Sequence, residues 1–400
     1  MNYNLFKKLN SNQYLIFAFV ISIYLFLLFS NLIHYLVWTK FSGGEYLVFF
    51  DWQTMIFFNQ CHANAVDVYS LKACDKKIFP YPMIWGYGPS FLWLPLPYFE
   101  KLNFFYLKLI PIILIFLFVY LVIRVINPKS KIGLFLTLFA LISPSTIQLV
   151  EKFNFDLIIF ITTILIIFSN TKIINSILIL ITASVKFYPI FLLYNFFFLK
   201  EKFNKIFSYI LIISIIFILY FYINIEDIKK IFDSDMLKNI PVGAKNFYIF
   251  AINDYLIDRK NNVFELLNFE YLMNIYKIIE FKFVNLILFI IFVISFINIS
   301  LKKKILKINI FEIKSKLFMI GSTILITAYF LHPNLYYREI FIILLIPLLI
   351  SMHETYKGIF TYAIYFLLVK YLLDFMVIIS DNNLFNSDMV TGLINIFLPL

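Results

Sequence analysis

The sequence predicts an all-α polytopic membrane protein of about 11 transmembrane helices, and three observations carry that prediction. Hydrophobic residues fill 62% of the 400 positions and charged residues only 14%, against about 25% charged in ordinary globular domains. Mean hydropathy is +0.88, more apolar surface than a soluble core of this length can hide. The apolar residues also fall into runs long enough, or nearly so, to cross a hydrocarbon layer of ~30 Å. No internal repeat and no Ser/Gly-rich linker divides the chain, so a single membrane domain over 1–400 is expected.

The first run, 13–38, follows Lys7 and Lys8. It is too long for a cleaved signal peptide and lacks a small-residue cleavage site, so it reads as an uncleaved helix. Later runs lie at roughly 103–126, 132–149, 155–169, 172–186, 188–200, 206–224, 282–300, 317–332, 339–353 and 358–379. Basic residues gather in the short connections: Arg124 with Lys129 and Lys131, Lys172, the Lys200–Lys205 run, the Lys302–Lys316 run and Lys357. The positive-inside rule places these on the cytoplasmic side. The net charge of +11 is thus an orientation signal rather than a nucleic-acid footprint. Sidedness closes if segment 83–99 enters and leaves on the outer face. Its breaks at Gly86, Gly88, Pro89, Pro95 and Pro97 suit a re-entrant or broken helix buried in protein.

With that orientation the outer face collects the remaining polar islands. These are the 39–82 loop, Glu151-Lys152-Phe153-Asn154-Phe155-Asp156, Lys186-Phe187-Tyr188-Pro189, the long 225–281 loop, and the stretch from His332 through Tyr336-Tyr337 to Arg338. Asp51, in Phe50-Asp51-Trp52, has two readings: a helix N-cap, or a general base beside the membrane surface. Asp67 is a similar acid, also explained as a turn residue. Lys186 ends an apolar helix, where an ammonium group must snorkel to the interface or meet an anion such as a lipid phosphate. Arg338 can offer a bidentate guanidinium to phosphate or pair with Glu339 or another acid. Arg259 is similar, with Asp254 and Asp258 as ordinary partners. His332 fits a base, a donor or a structural interface histidine. Cys61 and Cys74, the only cysteines, share the 39–82 loop, where a disulfide is expected in an oxidising compartment over two unpaired thiols. No metal is expected, since His62 has no partner pair at zinc spacing. Gly-rich phosphate loops and serine-nucleophile motifs are missing too, so no cofactor and no soluble nucleotide chemistry is expected.

The order and common sidedness of these islands resemble the GT-C superfamily of integral-membrane glycosyltransferases, nearest its polyprenol-phosphate-mannose-dependent mannosyltransferase-like branch. Asp51 stands as the first-loop acid. Asp67-Val68-Tyr69 is similar to an Asp-Pro-Tyr-like stretch, and Tyr87-Gly88-Pro89 to a Tyr-Pro-Pro element. Asn154 and Asp156 match a Gly-Asn-x-Asp motif, with Phe153 where glycine is usual; Glu151 opens the same island. Lys186-Phe187-Tyr188-Pro189 resembles a Lys-x-Tyr-Pro corner, and Tyr337-Arg338 a late Tyr-Arg. The resemblance implies an inverting transfer of a sugar, such as mannose, from a polyprenyl-phosphate donor to a glycan or glycolipid acceptor. It places the site on the periplasmic or exterior face of the inner (plasma) membrane. Asp51 takes the acceptor proton, while Lys186, Arg338 and Arg259 receive the departing phosphate. Asp67, Tyr87, Glu151, Asn154, Asp156, Tyr188, His332 and Tyr337 support the substrates. Two other classes compete: an O-antigen or polysaccharide polymerase or ligase, whose key charges lie in late loops, and a lipid-linked sugar flippase, which calls for inverted repeats and midplane charges. The transferase reading expects Asp51, Lys186 and Arg338 to converge on one outward-facing cavity.

Overall fold

A computed structural model describes residues 8–29, 49–69, 87–94, 105–128, 130–169, 171–199, 201–233, 312–331, 336–356, 361–365 and 367–372. All regular structure among them is helical. Helix α1 (Ser11–Phe29) opens with a reciprocal cap: Gln13 N–H donates to Asn10 Oδ1 at 2.9 Å, and Asn10 N–H to Gln13 Oε1 at 3.0 Å. Such mutual capping satisfies backbone donors that the first turn leaves orphaned. α2 (Phe50–Ala63) and a short 3-10 helix (Pro89–Trp93) follow. A π turn at Phe105–Leu109 leads into α3 (Ile110–Ile126), which ends at Asn127 with a left-handed φ of 45°. α4 (Lys131–Ile142) starts on the Ser130 cap, and α5 (Pro144–Lys152) on the Ser143 cap.

The segment expected as one span at 132–149 is therefore two helices, bent by 45° where Ser143 meets Pro144. Proline cannot donate an amide hydrogen bond, and it steers the residue before it out of the helical region. α6 (Phe155–Phe168) and α7 (Lys172–Val185) form an antiparallel pair joined by a short turn. A 3-10 helix (Tyr188–Phe198), α8 (Phe203–Ile223) and α9 (Ile225–Asp233) come next, so the expected 225–281 loop begins as helix. Then come α10 (Ile313–Leu331), a 3-10 helix (Tyr336–Leu344) and α11 (Ile346–Tyr356).

Three of these helices are long and apolar enough to cross a membrane: Ser11–Leu28, Leu107–Ile126 and Phe203–Ile223. Counting α4 and α5 as one broken span makes four among the described residues. α6 and α7, with 14 residues each, reach only about 21 Å at 1.5 Å per residue. The expected span at 282–300 lies outside the described residues. So does most of 225–281, and so do 83–86 and 95–99 of the expected broken helix; its middle is the 3-10 helix Pro89–Trp93.

Side chains of α3, α6, α10 and the late 3-10 helix interlock at the centre. Phe118 meets Phe160 edge-on at 5.4 Å, and Phe160 meets Phe341 at 5.8 Å; Val122, Ile164 and Ile324 are fully buried around them. In lipid the hydrophobic effect gives little drive between helices, so close packing and interhelical hydrogen bonds must hold them. α8 is the opposite case. Within it only Ile206 and Ile213 are buried, while Phe207, Leu211, Ile215, Ile218 and Tyr222 face outward, a surface suited to hydrocarbon solvent.

Helix direction separates the two ends of the bundle. At one end Gln13 Nε2 donates to Asn127 Oδ1 at 3.1 Å, Lys172 pairs with Glu201, and Lys314 Nζ donates to Ser351 Oγ at 3.1 Å. α4 with its continuation α5, and α7, run from that basic end to the opposite one, where α6 starts. The polar islands meet at this second end.

Candidate active site

Two tight corners build the site. In the first, α5 stops at Phe153, whose φ of 48° is left-handed. This conformation costs a side-chain-bearing residue about 1–2 kcal/mol relative to glycine. It is the position where the resemblance expects glycine. Phe153 holds it by packing edge-on against Phe49 at 5.9 Å and Trp52 at 5.6 Å, contacts that also seat the start of α2. The Phe49 N–H donates to the Glu151 carbonyl at 2.8 Å, so the Glu151 backbone fixes where Asp51 begins its helix. Next, Asn154 caps α6, its Oδ1 accepting the Asp156 N–H at 3.1 Å. The second corner is the end of α7, where Lys186 is the C-cap residue and Tyr188-Pro189 turns the chain into the 3-10 helix.

Between these corners lies one polar network. Asn154 Nδ2 donates to Asp51 Oδ2 at 2.5 Å and to the Tyr87 hydroxyl at 3.1 Å. Its Oδ1 accepts from Lys186 Nζ at 2.8 Å. Lys186 Nζ also lies 2.8 Å from Asp156 Oδ1, which accepts the Tyr188 hydroxyl at 2.6 Å. Arg338 Nε completes the chain 3.6 Å from Asp156 Oδ2. Two rings line the cations, with Lys186 5.2 Å from the Tyr87 centroid and Arg338 5.3 Å from that of Tyr188. Lys186 is 3% exposed, Arg338 2% and Asp156 0%, whereas Asp51 is half-buried at the edge.

Burial holds the Asp51 carboxyl above the usual carboxylate range. The Lys152 charge, the Asn154 hydrogen bond and the Lys186 charge work against that rise, and Asp156 adds to it. A carboxylate so placed is a better proton acceptor near neutrality than an exposed aspartate.

Asp51, Tyr87, Asn154, Asp156, Lys186, Tyr188 and Arg338 therefore share one site. Arg338 engages Asp156, and the neighbouring Glu339 pairs with Lys370 at 2.5 Å. Asp67 stands in an exposed turn after α2, its Oδ1 accepting the Tyr69 N–H at 3.2 Å. Tyr337 lies in the same 3-10 helix as Arg338. Arg259, His332 and Cys74 lie outside the described residues, and the expected disulfide with them; Cys61 is buried in the last turn of α2.

Three further residues, Gly88, Tyr220 and Asn59, position the site. The Gly88 N–H donates to the Val185 carbonyl at 2.7 Å, and a Cβ on Gly88 would lie 1.9 Å from the Ser184 carbonyl oxygen. That contact presses the Tyr87 segment onto the last turn of α7, one residue before Lys186. The Tyr220 hydroxyl bolts it in place, donating to Ser184 O at 2.8 Å and accepting the Ser90 N–H at 3.3 Å. From the other side, Asn59 Nδ2 donates to the carbonyls of Phe91, Leu92 and Leu94 at 2.9–3.0 Å. Gly88→Ala is expected to lower stability by about 1–3 kcal/mol, the range for overpacking, and to weaken Tyr87 and Lys186 function together. Melting in detergent checks the first effect. An alanine variant with wild-type melting would contradict the close approach.

No family model, curated protein or solved structure matches the chain.

Proposed function

We propose that this chain is a membrane glycosyltransferase that moves a sugar from a polyprenyl-phosphate donor to a glycan or glycolipid acceptor at the outer membrane face. The observation that carries the reading is the chain of contacts Asp51–Asn154–Lys186–Asp156–Arg338. Four separate stretches of sequence deliver one half-buried base and two buried cations to the same end of the bundle.

In the proposed step Asp51 accepts the proton of the acceptor hydroxyl as its oxygen attacks the anomeric carbon. The bond from that carbon to the phosphate oxygen breaks with inversion, and polyprenyl phosphate leaves carrying one more negative charge. Lys186 and Arg338 stabilise this charge in a dry, preorganised site, and aromatic faces of Tyr87 and Tyr188 keep both cations in place. The proposal retains for Arg259, His332 and Tyr337 the substrate-binding roles expected from the sequence.

Purified protein in liposomes, supplied with radiolabelled polyprenyl-phosphate sugars and a lipid-extract acceptor, is expected to consume the donor and release polyprenyl phosphate. Failure with every such donor, mannose included, would remove the reading. Sidedness has its own check. A cysteine introduced as Asp67→Cys is expected to react with an impermeant thiol reagent in intact cells, and one introduced as Lys202→Cys is not; the reverse pattern would turn the site to the cytoplasm.

A further inference from the structure

We infer that Asn154 is a positioning residue whose single amide couples the state of the Lys186 ammonium to the Asp51 carboxylate. The inference rests on the transferase reading for its purpose, but its geometry stands alone. The Asn154 side chain uses its whole hydrogen-bonding capacity: two donations, to Asp51 and Tyr87, and two acceptances, from Lys186 and the Asp156 N–H. The direction of the amide is decided by chemistry, because a lysine ammonium only donates and an aspartate carboxylate only accepts. Reversing it would set NH2 against NH3+ and oxygen against carboxylate. Asn154 is also anchored at the backbone as the α6 cap, so it cannot swing to follow one partner without leaving the other.

Consequently Asp51 and Lys186 sense each other through polarised hydrogen bonds. When Lys186 turns toward an anion, its pull on Asn154 Oδ1 weakens, the amide donates less strongly to Asp51, and the carboxylate becomes more basic. A phosphate arriving at Lys186 thereby readies the base for the acceptor proton. The groups that face Asp51 are Lys152 from α5, Asn154 and Asp156 at the head of α6, Lys186 from the end of α7 and Tyr87 from its loop. Asn154 hydrogen-bonds directly to both the acid and the cation.

Two variants separate coupling from capping. Asn154→Ser keeps a capping oxygen for the Asp156 N–H but is too short to donate to Asp51. Asn154→Asp keeps both the cap and an acceptor for Lys186, while replacing the donor toward Asp51 by negative charge. Infrared titration of the full-length protein in liposomes, with the Asp51 carboxyl band assigned by difference from Asp51→Asn, reads the carboxylate directly and needs no substrate. Asn154→Ser is expected to move the Asp51 transition up by about one pH unit, the scale of one lost hydrogen bond to a charged group. Asn154→Asp is expected to move it further. In the transfer assay the acidic limb of the rate profile is expected to move with the band. A purely structural Asn154 would lower melting without moving the band. An Asp51 transition unchanged in both variants overturns the inference even if the wild type transfers sugar. A shifted band in a protein that transfers nothing upholds the coupling and rejects the transferase.

Discussion

Asp51→Asn is expected to abolish sugar transfer, with kcat falling by about 10²–10⁴-fold, the usual worth of a positioned general base. Its melting is expected to stay near that of the wild type. The substitution keeps size and shape, and a side-chain amide oxygen can still accept from Asn154 Nδ2, which now donates at 2.5 Å. What disappears is the ability to hold a proton. The pH profile gives a second reading. Because burial holds the Asp51 carboxyl above the ordinary range against the pull of Lys152, Asn154 and Lys186, it takes up a proton at a higher pH than an exposed aspartate does. The acidic limb of kcat is therefore expected above the ordinary aspartate value of about 3.9, with activity lost as pH falls through it. An Asp51→Asn protein that transfers sugar at the wild-type rate would end the assignment of Asp51 as base.

The charged members of this site were legible because their surroundings are so apolar. A Lys186 or an Arg338 at the end of a hydrocarbon-like helix must be explained, and the order of the islands placed them together. The neutral organisers were not legible. Gly88 matters through a carbonyl 1.9 Å from a Cβ that it lacks, and no local pattern announces Ser184 as its neighbour. Tyr220 is one aromatic among many on an apolar helix; only the folded chain brings its hydroxyl to Ser184 and Ser90. Phe153 read as a departure from the expected glycine, and its left-handed φ of 48° is a backbone conformation that glycine adopts without strain.

The fold was legible as helical and apolar, less so as a count of spans. Hydropathy marks apolar runs but does not tell whether a run winds as α or 3-10. Tyr188–Phe198 and Tyr336–Leu344 wind as 3-10, which rises ~2.0 Å per residue, so run length alone misjudges their reach. The bend between α4 and α5 follows from one proline inside an otherwise continuous run.

Asp156→Ala is expected to produce the largest loss of stability in the protein, about 3–5 kcal/mol, as for breaking a buried ion pair from one side. Lys186 and Arg338 would remain 3% and 2% exposed in wild-type geometry, with two positive charges side by side and the Tyr188 hydroxyl deprived of its acceptor. Lys186 would lose its carboxylate partner and keep the neutral Asn154 Oδ1. A melting point that drops strongly, and partly recovers when a soluble phosphate or polyprenyl phosphate is added, is the expected result. The recovery matters because it separates two explanations of the triad. Buried ionic clusters rarely stabilise a fold better than apolar groups of equal volume. If this one were only structural, the combined replacement Asp156→Leu, Lys186→Met and Arg338→Met would restore stability and leave function intact. Stability near wild type with transfer lost is expected instead: the cations are then kept for the anion they receive, and Asp156 holds them until it comes. A triple variant that still transfers sugar, or an Asp156→Ala protein that melts like the wild type, would show that Lys186 and Arg338 are not the phosphate-binding pair.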